Sequence, residues 1–356
     1  MNIFKRISLL FAALLISVLS WCQTEMSPET CGEFCCCVVD PSPAGVMISH
    51  VHPPKEIMIS YRFMSMEMAD IISGSRTVNS NEIFQKQYLM APEGMRMDMH
   101  MLMLMYGLSR KLTLMGMLHY NINRMQMGMP DNNSHQHHSL GTENEKMAMH
   151  SSGFGDLKFS VLYSLLNKTR DKIVASVGLS LPTGNIGLMG SEANMYQNQR
   201  LPYNMQLGSG TFDIQPGITY GYTKNDFTFS AQALYTIRTG MSTYGYRHGN
   251  EMLVNTWAAY FWHENFSSSL RAEAVSIGKM KGSDPILYPL MEPSANALNY
   301  GANRLMLHLG TSVHFKTGVL KNSKIGVEYG LPIYQYVTGY QMRFKSNINA
   351  QLSIVF

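Results

Sequence analysis

Charge is scarce in this chain. Of its 356 residues only 15% are Asp, Glu, Lys or Arg, well under the roughly 25% usual in soluble globular domains, yet the mean hydropathy is −0.09 rather than strongly apolar. Long hydrophobic runs are lacking as well. Beyond the first 22 residues no stretch holds the ~18 uninterrupted apolar residues of a membrane-spanning helix; the best, His100 to His119, is broken by Ser109, Arg110 and Lys111. A helical membrane protein is therefore excluded. A net charge of +4, with no basic patch interleaved with aromatics, gives no reason to expect a nucleic-acid partner. Gly-Xaa-Ser-Xaa-Gly, His-Glu-Xaa-Xaa-His and phosphate-binding loops are absent too, so no enzyme and no required cofactor are read here.

Cysteine is confined to the N-terminus: after Cys37 there is none. Lys5 and Arg6 precede an apolar run, Ile7 to Leu19, of signal-peptide size, so residues 1–22 read as an export signal with cleavage after Cys22. Lipidation of Cys22 is the weaker alternative, because bulky Trp21 stands where a small residue is wanted. Residues 23–54 read as an extended periplasmic segment carrying Cys31, Cys35, Cys36 and Cys37 and then Pro41, Pro43, Pro53 and Pro54. Neighbouring cysteines close little chain as disulfides; as thiolates they are soft-metal ligands.

From residue 55 the period is two. Leu112, Leu114, Gly116, Leu118, Tyr120 and Ile122 alternate with Thr113, Met115, Met117, His119, Asn121 and Asn123, and Phe227, Phe229, Ala231, Ala233, Tyr235 and Ile237 alternate with Thr228, Ser230, Gln232, Thr236 and Arg238. This is strand patterning, not helix. Strands are expected near 55–68, 96–107, 111–124, 154–166, 171–182, 211–222, 226–239, 251–263, 265–279, 303–316, 323–334 and 341–356. The joins alternate between short turns, such as Asn167 to Asp171, and long polar connections, such as Met125 to Gly153. A soluble sandwich does not do this, whereas an outer-membrane barrel has short periplasmic turns and long external loops. The expected fold is all-β: a single antiparallel transmembrane β-barrel of about twelve strands over 55–356, in the outer membrane of a Gram-negative bacterium. The last strand, with Ile348, Ala350, Leu352, Ile354 and terminal Phe356 on one face, resembles the signal read by the barrel-assembly machinery, an expected partner beside outer-membrane lipid.

The chain holds 30 Met, of which 18 lie between Met58 and Met149. Met95, Met97, Met99, Met101, Met103 and Met105 alternate without a gap, so they share one face. Met58, Met64, Met66 and Met68 travel with Ser60 and Arg62, and Met115 and Met117 with Thr113, His119 and Asn121, which assigns these methionines to the lumen. At the outer end Arg96, Asp98 and His100 must then project above the hydrocarbon zone. Two uses of such a wall compete. An adaptable, polarizable lining suits passage of apolar or aromatic solutes, or packing against a plug. Thioether sulfur also suits Cu(I) or Ag(I), with imidazole joining it. The candidate soft-metal ligands are Met64, Met66, Met68, Met97, Met99, Met101, Met103, Met115, Met117 and His119. To these the third long connection adds Met127, Met129, His135, His137 and His138, and the tail adds Cys31, Cys35, Cys36 and Cys37. The reading is a transporter or metal-handling barrel using soft metal, with a passive channel for small hydrophobic or aromatic molecules as the alternative.

Ser42-Pro43-Ala44-Gly45-Val46-Met47, His50 and His52, Met58-Ile59-Ser60-Tyr61-Arg62-Phe63-Met64, Met97-Asp98-Met99-His100-Met101, Gly153-Phe154-Gly155-Asp156-Leu157-Lys158 and Gly178-Leu179-Ser180-Leu181-Pro182-Thr183-Gly184 resemble the Met-rich branch of the outer-membrane transporters grouped under the meta-pathway of phenol degradation. The resemblance runs over nearly the whole mature chain. It implies an outer-membrane β-barrel without catalytic residues, aromatic substrates by the family's name and copper by the branch's company. The cysteine cluster does not match the family's pattern.

Overall fold

The computed structural model describes residues 40–130, 147–190 and 199–356. The signal segment, the four-cysteine cluster and His135, His137 and His138 lie outside them. The strands in chain order are β1 Ile57–Gly74, β2 Arg76–Val78, β3 Ala91–Gly107, β4 Leu112–Gly128, β5 Met147–Phe154, β6 Leu157–Asn167, β7 Asp171–Leu181 and β8 Phe212–Lys224. They continue with β9 Phe227–Thr239, β10 Tyr246–Arg247, β11 Glu251–His263, β12 Phe266–Ile277, β13 Lys281–Gly282, β14 Ala302–Phe315 and β15 Ser323–Val355. Eleven of them, β1, β3, β4, β6, β7, β8, β9, β11, β12, β14 and β15, pair antiparallel in chain order, and β15 pairs back to β1. β2 and β5 are additions to this ring, and β10 with β13 makes a separate ribbon.

Parity shows what β15 is. A ring of strictly antiparallel neighbours needs an even number of crossings, and the run of 33 residues in β15 is far longer than the ~10 residues of one crossing. Its first part, Ser323 to Val337, pairs with β14, and its second part, Val337 to Val355, pairs with β1. Gly339, at φ 67°, turns the chain between them, a conformation that costs glycine nothing. The eleven runs therefore make twelve walls, the number expected from the sequence. The terminal residues seal the ring: Phe356 N–H donates to Ile57 O at 2.8 Å and Ile57 N–H to Phe356 O at 3.2 Å.

Closure satisfies the backbone in lipid, and the two faces then divide by period. Leu102, Leu104 and Tyr106, Phe159, Val161 and Tyr163, and Leu307, Leu309 and Val313 point outward and are exposed, while Ser160, Asn255, Ser312, Asn347 and Gln351 point inward and are buried. Asp98 lies near the middle of β3 on the outward face, where it accepts from Ser65 Oγ at 2.7 Å, Arg96 Nε at 2.9 Å and Arg124 Nη1 at 3.2 Å.

Two expectations need correction in detail. The wall expected at 154–166 begins earlier, because β5 continues it: β4 pairs with β6 through Leu112 to Met117 and with β5 through Tyr120 to Met127. Part of the third long connection is thus strand. The join between β5 and β6 is where two of the family-like motifs meet. Asp156 accepts from Gly184 N–H at 2.9 Å and Ser209 N–H at 2.8 Å, and Thr183 Oγ1 accepts from Leu157 N–H at 2.9 Å. Those motifs are a latch between wall and loop, with no reacting group in them. The second correction is that residues 40–54 are not merely a periplasmic lead-in: they run inside the barrel.

Leu309 stands near the middle of β14, outward and exposed. Leu309→Arg should destabilise the barrel by about 2–4 kcal/mol, the cost of a cation facing the bilayer midplane, in reversible denaturant unfolding from vesicles. An unchanged unfolding midpoint would remove Leu309 from the lipid face.

Candidate functional site

The lumen is organised around the segment Asp40 to Pro54. A proline-rich strap has no ladder to join, so its main-chain groups need side-chain partners. The wall supplies them. Arg62 Nη1 donates to Ala44 O at 3.1 Å and also to Val46 O, and Gln232 Nε2 donates to Met47 O at 2.7 Å and Ile48 O at 3.0 Å. Thr219 Oγ1 donates to Ile48 O at 3.1 Å, Lys324 Nζ to Asp40 O at 2.8 Å, and His52 N–H to Thr113 Oγ1 at 2.8 Å. Residues from β1, β4, β8, β9 and β15 thus hold one chain segment across the lumen.

At its centre the strap crosses a buried ion network. Arg271 donates to both Glu328 oxygens at 2.8 and 3.0 Å, to Asn255 Oδ1 at 2.8 Å and to Glu273; the last is the lumen pair that β12's alternation implies. Glu328 Oε2 also accepts from Gly45 N–H at 2.8 Å. A Cβ at Gly45 would fall on the Arg271 guanidinium and Glu328, so glycine is what lets the strap approach. The bidentate pairing and the extra acceptors compensate for burying these charges.

The expected methionine wall is present, and register arranges it in rungs. From the periplasmic end outward, Met58 faces Met105, which faces Met115; Ser60 faces Met103, then Met117 and Lys158; Arg62 faces Met101, then His119. Above these, Met64 faces Met99 and then Asn121, and Met66 faces Met97 and then Asn123. The outermost continuous rung is methionine on four strands: Met68, Met95, Met125 and Met149.

Packing divides these residues into three zones. At the periplasmic end Met58, Met103, Met105 and Met115 form a mixed apolar cluster with Ile48 of the strap, Leu162, Val174 and Val355. In the middle Met64, Met66, Met97 and Met99 are only half-buried, beside polar Arg62, His119, Asn121 and Asn123. Beside the strap, Met115, Met117, Met47 and Ile48 border a cavity of about 150 Å³ with Lys158, Asp213, Arg238 and Glu251. At the outer end Met68, Met95, Met125, Met127 and Met149 pack with Met90, Leu201, Met205, Met291 and Ala295.

The structure therefore gathers Met68 and Met127, with Met97 packed against them, and places Met103 and Met115 in a different cluster at the other end. Met64, Met66, Met99, Met101, Met117 and His119 line the height between. Met129 lies beyond β4 and is exposed, apart from both clusters. Sequence patterning missed Met90, Met205 and Met291, which reach the outer cluster from connections, and Asn204, whose Nδ2 lies 3.6 Å from Met95 Sδ and 3.7 Å from Met125 Sδ. A loop residue packing against a strand has no period to reveal it. Among the described residues no three His, Asp, Glu or Cys side chains gather as a metal-binding group, so thioether sulfur is the soft donor these zones offer.

The lid over the outer cluster carries a titratable group. Glu292 is fully buried; burial pushes its carboxyl up to about 7, against the opposing hydrogen bonds from Ser294. It caps the short turn Pro293–Ala295, which sets Met291 and Ala295 into the cluster. With its pKa raised above the usual 4.5, the carboxyl favours the packed loop fully below that value and loses this contribution as pH rises through about 7. Oxidation of Met291 by peroxide in the folded protein should accordingly be slower at pH 5.5 than at pH 8.5, and Glu292→Gln should abolish the difference. Mass spectrometry of the Met291 peptide checks this; equal rates in the unsubstituted protein would contradict the linkage.

Residues 139–279 match the model of the family described as MetA-pathway of phenol degradation. The chain resembles the crystal structure of an outer membrane channel from Pseudomonas putida F1 at 14% identity and TM-score 0.58, covering 87% of this chain and 98% of that one. Weaker likenesses are to the KdgM porin, at 10% identity and TM-score 0.38 over 84% of this chain and 99% of that one, and to the CymD monoaromatic hydrocarbon channel, at 8% identity and TM-score 0.38 over 85% and 88%. At those scores the latter two add nothing to the fold. No curated protein matches. The family resemblance read from the motifs is borne out over residues 139–279, which match the phenol-degradation MetA-pathway family, and the fold is that of an outer-membrane β-barrel.

Proposed function

We propose that the barrel is a passive channel for small, weakly polar molecules, aromatics foremost, and not in the first place a metal transporter. The observation that carries this is the middle zone. Met64, Met66, Met97 and Met99 present a half-buried thioether surface to the lumen, where a route for ions or sugars is normally lined by polar residues. A methionine surface adapts to varied shapes and adds about 0.3–1.5 kcal/mol per sulfur–aromatic contact, enough to attract a solute without trapping it. The polar strap crossing the lumen also narrows any water-filled route. The matched family's description, naming phenol degradation, and the hydrocarbon channel among the weaker likenesses are consistent with such cargo.

The test is entry of a small uncharged aromatic into vesicles with a lipopolysaccharide outer leaflet, with and without the protein. Protein should speed entry, and Met64→Asp with Met99→Asp should reduce that gain several-fold while leaving a polar solute of equal size unaffected. Aromatic entry equal to that of protein-free vesicles, or unchanged by the two substitutions, would contradict the reading.

A further inference from the structure

The outer methionine cluster has a composition that filling space does not explain. Among the described residues, eight of its ten buried hydrophobic side chains are methionine, whereas in the periplasmic cluster four of eight are, the rest being Ile, Leu and Val. The two clusters sit toward opposite ends of the same methionine-bearing strands. Methionine is flexible and specifies a packing poorly, so a purely structural plug at the outer end would be expected to look like the inner one.

Register adds a second observation. Met68, Met95, Met125 and Met149 are directly opposed on four neighbouring strands, and opposed Cβ atoms in an antiparallel ladder stand about 4.5–5.5 Å apart. Unbranched side chains from such positions can bring their sulfurs to one point. They do so at Met95 and Met125, since one atom, Asn204 Nδ2, lies within 3.7 Å of both sulfurs. The electropositive end of the amide is held against the two lone-pair-bearing sulfurs, while Asn204 Oδ1 is buried and has no partner. An amide is a poor match for thioethers, whose acceptor strength is weak; a soft cation is a better one.

We propose that Met95 and Met125 are the primary ligands of a site for a soft monovalent cation, Cu(I) or Ag(I), with Met68 and Met149 flanking it on the same rung and Asn204 gating it. The donor chemistry sets the class. Uncharged sulfur selects soft ions over Mg(II) or Ca(II), which need oxygen. The four rung residues offer only neutral thioethers, and burying a divalent ion against neutral ligands carries a far larger desolvation cost than burying a monovalent one. The site binds without redox chemistry and lies at the outer end of the strands, adjoining through Met97 the middle zone assigned to organic solutes.

The experiment uses the full chain in lipid nanodiscs with Cys22, Cys31, Cys35, Cys36 and Cys37 replaced by Ser, so that thiolates do not compete. The protein is equilibrated with silver nitrate in chloride-free buffer, desalted and measured for silver by mass spectrometry, with methyl-labelled methionine followed by NMR. About one rung-bound silver per barrel is expected, with the Met95 and Met125 methyl signals shifted. Met95→Leu with Met125→Leu should weaken binding at least tenfold, and Met58→Leu with Met105→Leu, the opposed pair at the other end, should not. The swaps conserve volume, and the remaining methyl signals report whether each variant is folded. No silver in the parent, undiminished silver in the Met95/Met125 variant, or equal loss in both variants would each overturn the proposal.

Discussion

Everything in this molecule depends on the closure of β15 onto β1. In hydrocarbon an unpaired backbone group costs several kcal/mol, so the sheet cannot end, and the final 33-residue run must turn at Gly339 to supply two walls. Once the ring is closed, each side chain faces either lipid or lumen, and alternation alone decides which. The methionines follow from that division. Because they share parity with Ser60, Arg62, Thr113, His119 and Asn121, they are inside, and because the strands are in register they stack as rungs instead of scattering.

The interior is then a problem in satisfying polar groups. The strap brings carbonyls and amides into the lumen without a ladder, and Arg62, Thr219, Gln232, Lys324 and Glu328 meet them one by one. Polar residues concentrated on the strap leave the methionines of β1 and β3 facing the remaining space. The lumen consequently has a polar side, built by the strap and the Arg271 network, and a thioether side, built by the rungs. The weakly polar cargo proposed above is matched to that pairing. The outer end is different again, with sulfur packed on sulfur beneath a lid whose Glu292 is neutral only toward acid pH.

Much of this was legible in the sequence. A period of two with turns of alternating length gave walls and orientation, and parity placed Met64, Met66, Met68, Met97 and Met99 on the lumen face. Arg271 with Glu273 was readable as a lumen pair for the same reason, but Glu328 was not, because β14 stands between its strand and theirs and alternation does not say which side chains reach across a strand. What could not be read were contacts made by irregular chain: Asn204, Met205 and Met291 arriving from connections, and Gly45 lying against Arg271. Such contacts depend on where a loop returns, and no local pattern records that. The motifs of Gly155-Asp156 and Thr183-Gly184 were visible, yet only the structure shows them bound to each other. His135, His137, His138 and the cysteine cluster fall outside the described residues, so the reading of thioether chemistry rests on the methionines alone.

The central claim is that the methionine wall faces an interior space and not lipid. The direct measurement places single cysteines at Met64, Met66, Met97 and Met99, and at Leu102 and Leu104 on the opposite face, in a chain freed of its native cysteines, and follows labelling by a small hydrophilic thiol reagent in lipid bilayers. The account predicts reaction at the four methionine positions and protection at the two leucines. Labelling at the leucine positions with protection at the methionines would contradict it.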